Sequence, residues 1–526
     1  MPDFDQAFRI LSAPENRALL TNIKRGLEKE SLRVTADGSL ATTPHPNALG
    51  SALTHPWITT DYSEALLEMI TPPVTNVDEL LATLERTHQF IYQTIGDEML
   101  WVHSMPCSIA RDEDVPIADY GTSNIGRMKK IYREGLGHRY GRVMQTIAGI
   151  HYNWSVPEEC LSLLQTASGD AGSFHGYKTQ RYFDLIRNFR RRTWLLLYLF
   201  GAAPAVCRSY VKGRTHRLQP FGDDDHSLHA PYGTSLRMGD LGYQSNAQES
   251  LIVCYNNLDS YIDTLRQALT MSYPPYEAIG LKDGEGNYLQ LSTHLLQIEN
   301  EFYSTIRPKR TTRSGETPIR ALSQRGVEYI EVRCVDLNPF QPLGIDGDQI
   351  RFLDIFLLHC LMMDSAPADN AEYRAILENQ KRIVYDGRNP ALTLHHNGGE
   401  RSVRDWGESL FDQMAPVARL LDDANGSDEY RQVLARLRPR LSDPSQTPSA
   451  QILDQMAVDD ITYFQLALRH AREHREQFLA APLPDQALAA YQHMARKSLD
   501  DQAAIEAGDN QSFEAFLAGY YSQYQL

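Results

Sequence analysis

The sequence has no excess of positive charge, no long apolar run and no closely paired cysteines. Its 526 residues carry 67 Asp and Glu against 51 Lys and Arg, a formal net charge of −16. That balance excludes a broad nucleic-acid or anionic-membrane surface, which would need a basic patch. The longest apolar run, Trp194 to Cys207, is fourteen residues with Pro204 inside it. It is too short for a bilayer and predicts a buried helix leading into a turn. The opening stretch "MPDFDQAFRILSAPENRALL" lacks a basic segment followed by an apolar core, so no signal peptide is expected. The six cysteines lie far apart, with no CxxC, which predicts free, mostly buried thiols in a reducing cytoplasm. A GxxxxGK[ST] phosphate loop and the HRD and DFG pair of protein kinases are also missing. The GxG at Gly284 and Gly286 has neither a third glycine nor a following helix, so it is not a dinucleotide fingerprint.

What is present reads as an ordinary globular chain long enough for a large core, with 42% hydrophobic and 22% charged residues. The predicted class is α+β. Strands are expected at "GLEKESLRV", "ALLEMITP", "AGIHYNWSV" and "VEYIEVRCVDL", and a hairpin at "AIGLKDGEGNYLQLS" around Asp283-Gly284. Helical spacing of Leu80, Leu84, Ile91 and Ile95 predicts a helix capped by Asn76 or Thr75. From about Asp348 onward the pattern turns helical, and Gly426 closes one of the helices. The expected division is a sheet-based catalytic domain over 1–364 and a mainly helical portion over 365–526, packed on it. Val211–Gly233 and Ile306–Pro318 read as mobile loops. The second of these gathers Arg307, Lys309, Arg310 and Arg313, in an acidic protein either the place for phosphate contacts or, equally, a solvated basic turn.

The strands carry an unusual load of acid. Glu28 and Glu30 stand two apart and so share a strand face. Glu68 would share one with Leu66 and Ile70, His151 with Asn153, and Glu331 with Arg333, while Asp61 lies just before the Glu68 strand. A single strand acid is usually solvated, and Glu331 beside Arg333 reads equally as a plain ion pair. As a set, carboxylates with one imidazole inside apolar segments suit Mg²⁺ or Mn²⁺ better than zinc. A cation site beside Arg333 and a basic loop points to phosphoryl transfer with a nucleotide. The residues alone stop short of the substrate.

The segments "RGLEKESLRV", "SALTHPWITTDYSEALLEMITP", "DYGTSNIGRMKKIYREGL", "RYGRVMQTIAGIHYN", "LQIENEFYSTIRPKRTTRSGETP" and "GVEYIEVRCVDLNPF" closely resemble the proteobacterial (type 1) glutamate–cysteine ligase family, from about Ile23 to Asp364 and more loosely beyond. The resemblance implies the curved, mainly antiparallel sheet of the glutamine synthetase-like catalytic fold, with metals on its concave face. It implies Glu28, Glu30, Asp61, Glu68, His151 and Glu331 as metal ligands, Mg²⁺ (or Mn²⁺) as the metal, and ATP as co-substrate. Arg237 and Arg333 are the implied catalytic arginines at the transferred phosphoryl group, with Arg307, Lys309 and Arg310 assisting ATP. Tyr62, Tyr132, Leu136, Gln145, Tyr243 and Tyr303 match the family's cysteine pocket; the position of Tyr62 is one where relatives can carry Phe. The implied reaction joins the γ-carboxylate of glutamate to the amine of cysteine through γ-glutamyl phosphate, the first step of glutathione synthesis. A cytoplasmic monomer, open to feedback by glutathione and with no nucleic-acid or membrane partner, is the matching expectation.

Two other readings use the same residues differently. A glutamate–amine ligase with another amine keeps the chemistry and changes the nucleophile. His470, Glu473 and His474 spell HxxEH, the pattern of inverted zinc peptidases, but the flanking Arg469, Arg472, Arg475 and Glu476 predict a solvated helix face and no third ligand is identifiable. His395-His396 before Asn397-Gly398 predicts a surface turn.

Overall fold

The computed structural model describes residues 3–106, 108–223, 226–242 and 251–525. In chain order the strands begin with β1 (Lys24–Val34), β2 (Ile58–Thr60), β3 (Leu66–Ile70), β4 (Met99–Leu100) and β5 (Ile150–Ser155). Three short strands, β6 (Ala205–Cys207), β7 (Gln219–Phe221) and β8 (Ser227–His229), make a separate sheet, after which β9 (Ile306–Lys309) and β10 (Tyr329–Val335) rejoin the first. A hairpin of β11 (Thr393–His396) and β12 (Gly399–Ser402) lies among the later helices. The main sheet runs β2-β3-β1-β5-β10-β9, with β4 beside the end of β1, and every pair is antiparallel.

Strand alternation gives this sheet two unlike faces. Arg25, Leu27, Tyr152, Trp154, Ile330 and Val332 form the back, each at most 2% exposed. The helices Phe174–Phe200 and Gly347–Met362 cover it. Asp354 of the second helix accepts hydrogen bonds from Arg25 Nε (2.8 Å), Tyr152 Oη (2.8 Å), Trp154 Nε1 (3.1 Å) and Tyr430 Oη (3.2 Å), tying β1 and β5 to that helix at one buried carboxylate. The opposite face carries the acids. Because Glu28 pairs with His151 in register, and Glu30 with Glu68, their side chains meet across the strands.

The helix Val77–Thr94 starts where the sequence places it, Asn76 accepting from the backbone N–H groups of Asp78 and Glu79. The helix Val403–Asn425 ends at Gly426, with φ of 64°. Asn397 and Gly398, at φ of 51° and 77°, form the β11–β12 turn. Other expectations change. The segment from Ala278 to Ser292 turns at Asp283, but its arms meet only at the single bridge Lys282–Tyr288, so no hairpin strands form. Two strands, β7 and β8, occupy part of the expected 211–233 loop, and Ile306–Lys309 is the edge strand β9. Cys160, Cys254, Cys334 and Cys360 are free thiols, whereas Cys207 is disulfide-bonded and Cys107 lies outside the described residues.

Candidate active site

Glu28, His151 and Glu331 bring one ligand atom each within 4.8 Å of one another, the one His/Cys/Asp/Glu grouping of this kind among the described residues. His151 Nδ1 lies 3.2 Å from Glu28 Oε2 and its Nε2 lies 3.8 Å from Glu30 Oε1. Asn153 Nδ2 donates to Glu28 Oε1 (2.8 Å), and the Gly149 N–H to Glu30 Oε2 (2.7 Å). Arg333 Nη1 donates to Glu331 Oε2 (2.8 Å), and Lys309 Nζ sits 2.9 Å from Glu331 Oε1. A register shift in β10 between Val332 and Val335 frees Arg333 from the ladder to β5, a bulge that re-aims the side chain.

The carboxyls feel one another. Burial pushes Glu68 well above the ordinary carboxylate range, and the charges of Glu28, Asp61 and Glu30 push it further. Burial also raises Glu30, partly offset by His151. For Glu331, burial is outweighed by Lys309 and Arg333, which hold it well below its usual value. For Glu28, burial and the Glu331 charge are outweighed by His151 and Lys309. Glu30 and Glu68, raised by burial, and Glu28 and Glu331, lowered by neighbouring cations, make a set whose mutual repulsion a bound cation would relieve. Oxygen donors with a single imidazole fit a hard divalent ion, and all six predicted metal-binding residues stand on or beside this face.

The predicted cations are near but unequal. Arg237 is fully buried, donating from Nη2 to the Arg333 carbonyl (2.8 Å) and lying 3.6 Å from Asp336. Gly149 leaves room for it, since a Cβ there would overlap the guanidinium. Arg307 is held by the carbonyls of Asn300 and Phe302 and adds positive charge near Glu331. Arg310 instead bonds the Arg325 carbonyl (3.0 Å) and lies 3.6 Å from Glu328, away from the carboxylate group.

The predicted cysteine pocket is also gathered in space. Tyr132 and Leu136 lie one turn apart on the helix Asn124–Tyr140, Gln145 in the turn Val143–Thr146, and Tyr303 just before β9. Tyr303 Oη donates to Gln145 Oε1 (3.1 Å). Tyr62 Oη and Gln145 Nε2 are buried with no hydrogen-bond partner. Leaving such groups unmet costs about 1–3 kcal/mol each, which a bound polar ligand would relieve. A Cβ at Gly137 would come within 2.7 Å of Tyr62 Oη, so glycine keeps that space open. Tyr243 lies outside the described residues. A cavity of about 350 Å³ opens beside His151, Arg237, Arg333 and Tyr303, walled by Trp194, Tyr373 and Lys381.

The HxxEH residues are elsewhere. His470 and His474 are 4% and 7% exposed on the inner face of the helix Tyr463–Ala480, while Glu473 is exposed on its other side. The expected solvated face is wrong for the histidines, which stack with each other and with His103.

A glutamate–cysteine ligase family model matches residues 8–383. The glutamate–cysteine ligase of Alcanivorax borkumensis is 52% identical over 526 residues, covering 99% of this chain and 100% of that protein. The chain belongs to the glutamate–cysteine ligase family. The Pseudomonas putida glutamate–cysteine ligase is 50% identical, with 96% of each chain covered. The crystal structure of the Francisella tularensis glutamate–cysteine ligase in complex with AMP superposes with a TM-score of 0.90 at 37% identity, covering 96% of this ligase and 98% of that one. The bifunctional glutathione synthetase of Pasteurella multocida, at 23% identity and a TM-score of 0.72, shares the fold. Of the ligase's site residues, Asn153, Gly149, Trp194, Tyr373 and Lys381 were not assigned from sequence. Only Asn153 had a signal, its place two residues after His151.

Proposed function

We propose that this ligase joins the γ-carboxylate of L-glutamate to the amine of L-cysteine with conversion of ATP to ADP and phosphate, as the resemblance implies. The observation that carries this reading is one sheet face that brings Glu28, His151 and Glu331 together with Glu30 and Glu68 alongside, beside Arg237, Arg333 and Lys309 and next to a pocket with two unmet buried polar groups. A carboxylate resists attack by an amine because its leaving group would be oxide. Transfer of the γ-phosphoryl group of ATP to the γ-carboxylate gives γ-glutamyl phosphate; cysteine's nitrogen then forms the amide bond and phosphate departs with the C–O electron pair.

Glu28, Glu30, Asp61, Glu68, His151 and Glu331 would hold divalent ions, read here as Mg²⁺ in preference to Mn²⁺, which when bound neutralise phosphate oxygens. Arg333 and Arg237 then face the transferred group from β10 and from behind Gly149, fixed before the reaction by their carbonyl and carboxylate contacts. Lys309 assists ATP from the sheet edge with Arg307 behind it; Arg310 is assigned there only by resemblance. Tyr62, Gln145 and Tyr303 orient cysteine, while Tyr132 and Leu136 wall its small side chain. Glutathione contains the γ-glutamyl-cysteine unit, so the same pocket is open to feedback by it, and the reading keeps the enzyme a cytoplasmic monomer.

The test is ADP release by purified protein with ATP, glutamate and Mg²⁺, with a panel of amines in competition with cysteine. Preferred turnover of cysteine supports the pocket; preferred turnover of a larger or uncharged amine replaces it with the other-amine reading.

A further inference from the structure

The last described helix, Phe513–Ser522, and the segment before it bind the cysteine pocket from outside. Asp509 accepts from both the backbone N–H and the Nδ2 (2.6 Å) of Asn124, the first residue of the helix that carries Tyr132 and Leu136. The Gln511 carbonyl accepts from the same Nδ2 (2.9 Å), and the Arg127 guanidinium lies over the Phe513 ring at 4.6 Å. Farther along, Tyr521 Oη donates to the Gln297 carbonyl (2.8 Å). Gln297 Nε2 in turn donates to the Tyr132 carbonyl (3.2 Å), its Oε1 accepts from the Leu291 N–H (2.9 Å), and its own N–H reaches Glu301 (2.6 Å). Glu301 accepts from Arg139 and Tyr140, at the far end of the pocket helix, both at 2.8 Å. Gly135 lets Gln297 approach, since a Cβ there would overlap its amide.

We propose that this C-terminal clasp is a positioning device for the amine substrate: Asp509 and Tyr521 fix the pocket helix at its two ends, Tyr521 acting through Gln297. The clasp residues themselves do not touch the carboxylate group on the sheet, and the pocket helix meets it through the backbone of Asp61, where Arg133 donates to the carbonyl; the clasp therefore acts mainly on cysteine affinity. The residue just after that helix serves as an internal control. Gln523 Oε1 accepts from the Thr317 N–H (3.1 Å) and its Nε2 donates to the Gly315 carbonyl (2.8 Å), so its side chain holds the basic segment and bonds neither Gln297 nor the turn Glu299–Glu301.

The inference rests on the pocket reading above. The experiment measures kcat and KM for each substrate in the full-length Tyr521→Phe, Gln523→Ala and Gln145→Ala variants. Loss of one neutral hydrogen bond predicts that Tyr521→Phe raises KM for cysteine about three- to tenfold, with kcat and the KM for ATP and glutamate within twofold. Gln523→Ala is expected to leave the cysteine KM within twofold, which a merely bracing segment would not do. An unchanged cysteine KM in Tyr521→Phe, or an equal rise for all three substrates, overturns the clasp. If Gln145→Ala also leaves the cysteine KM unchanged, the pocket reading itself fails; if Gln145→Ala raises it and Tyr521→Phe does not, only the clasp fails.

Discussion

Asp354 offers the sharpest test of how the sheet is held. The carboxylate is fully buried and gathers one guanidinium, two phenols and one indole. Asp354→Ala leaves the Arg25 charge in the core, where only neutral acceptors, the Ile23 and Thr75 carbonyls and the Tyr430 hydroxyl, remain to it. Breaking a buried pair from one side costs about 3–5 kcal/mol. Each stranded neutral donor adds up to about 1–3 kcal/mol, less whatever water or rearrangement recovers. The expected loss is therefore about 5 kcal/mol or more. Asp354→Asn keeps an acceptor oxygen for the neutral donors but still strips Arg25 of its counter-charge, so it should lose less than Asp354→Ala, about 3–5 kcal/mol. Chemical denaturation followed by tryptophan fluorescence and by far-ultraviolet circular dichroism reads both variants, coincidence of the two probes justifying a single free energy. A loss under about 1 kcal/mol in Asp354→Ala would refute the claim that this carboxylate joins β1 and β5 to the helix behind them.

Three further outcomes follow from particular contacts. Gly149→Ala should drive the Arg237 guanidinium out of place and lower kcat at least about 100-fold, in the range for a lost preorganised donor, at a cost in stability of about 1–3 kcal/mol from overpacking; full activity would exclude Arg237 from the reaction. Gly137→Ala should fill the space beside Tyr62 and raise the cysteine KM without changing that for ATP, read by steady-state kinetics. Burial lowers His470 and His474 from 6.5 to about 4, so the folded state refuses protons that the unfolded chain takes up. Their contribution is complete above pH 6.5 and is lost as pH falls toward 4, by up to about 3 kcal/mol per imidazole. Denaturation midpoints from pH 7 to 4.5 should fall more steeply in the native protein than in His474→Gln; parallel curves would contradict the assignment.

Much of the site was legible because its acids sit at strand spacing. Glu28 with Glu30, His151 with Asn153 and Glu331 with Arg333 each declare a shared face within a few residues, and antiparallel register then brings the faces together. Local signals also gave Asn76 as a cap and Gly426 as a stop. What failed depended on partners distant in sequence. The arms around Asp283 have the composition of a hairpin, yet Gln290 is drawn to Arg139 and to the carbonyls of Tyr276 and Gly280, and the ladder does not form. The charged flanks of His470 and His474 suggested solvent, but the helix turns its histidines toward His103 and Phe340 and its arginines outward. Likewise Arg310, one residue beyond β9, points to Glu328. No single-segment pattern reports Asp354, Gln297 or the Asn370–Asp386 helix, whose Tyr373 and Lys381 wall the cavity.

The central claim is that the carboxylates of one sheet face hold the divalent ions through which ATP activates glutamate for attack by cysteine. The most direct measurement is ADP formation with glutamate, ATP and Mg²⁺, with and without cysteine, in the native protein, in native protein with excess EDTA, and in Glu28→Gln. The account predicts fast, cysteine-dependent ADP release in the native protein, abolished by EDTA and reduced at least about 100-fold by Glu28→Gln. Undiminished turnover in Glu28→Gln, or turnover that survives EDTA, would contradict it.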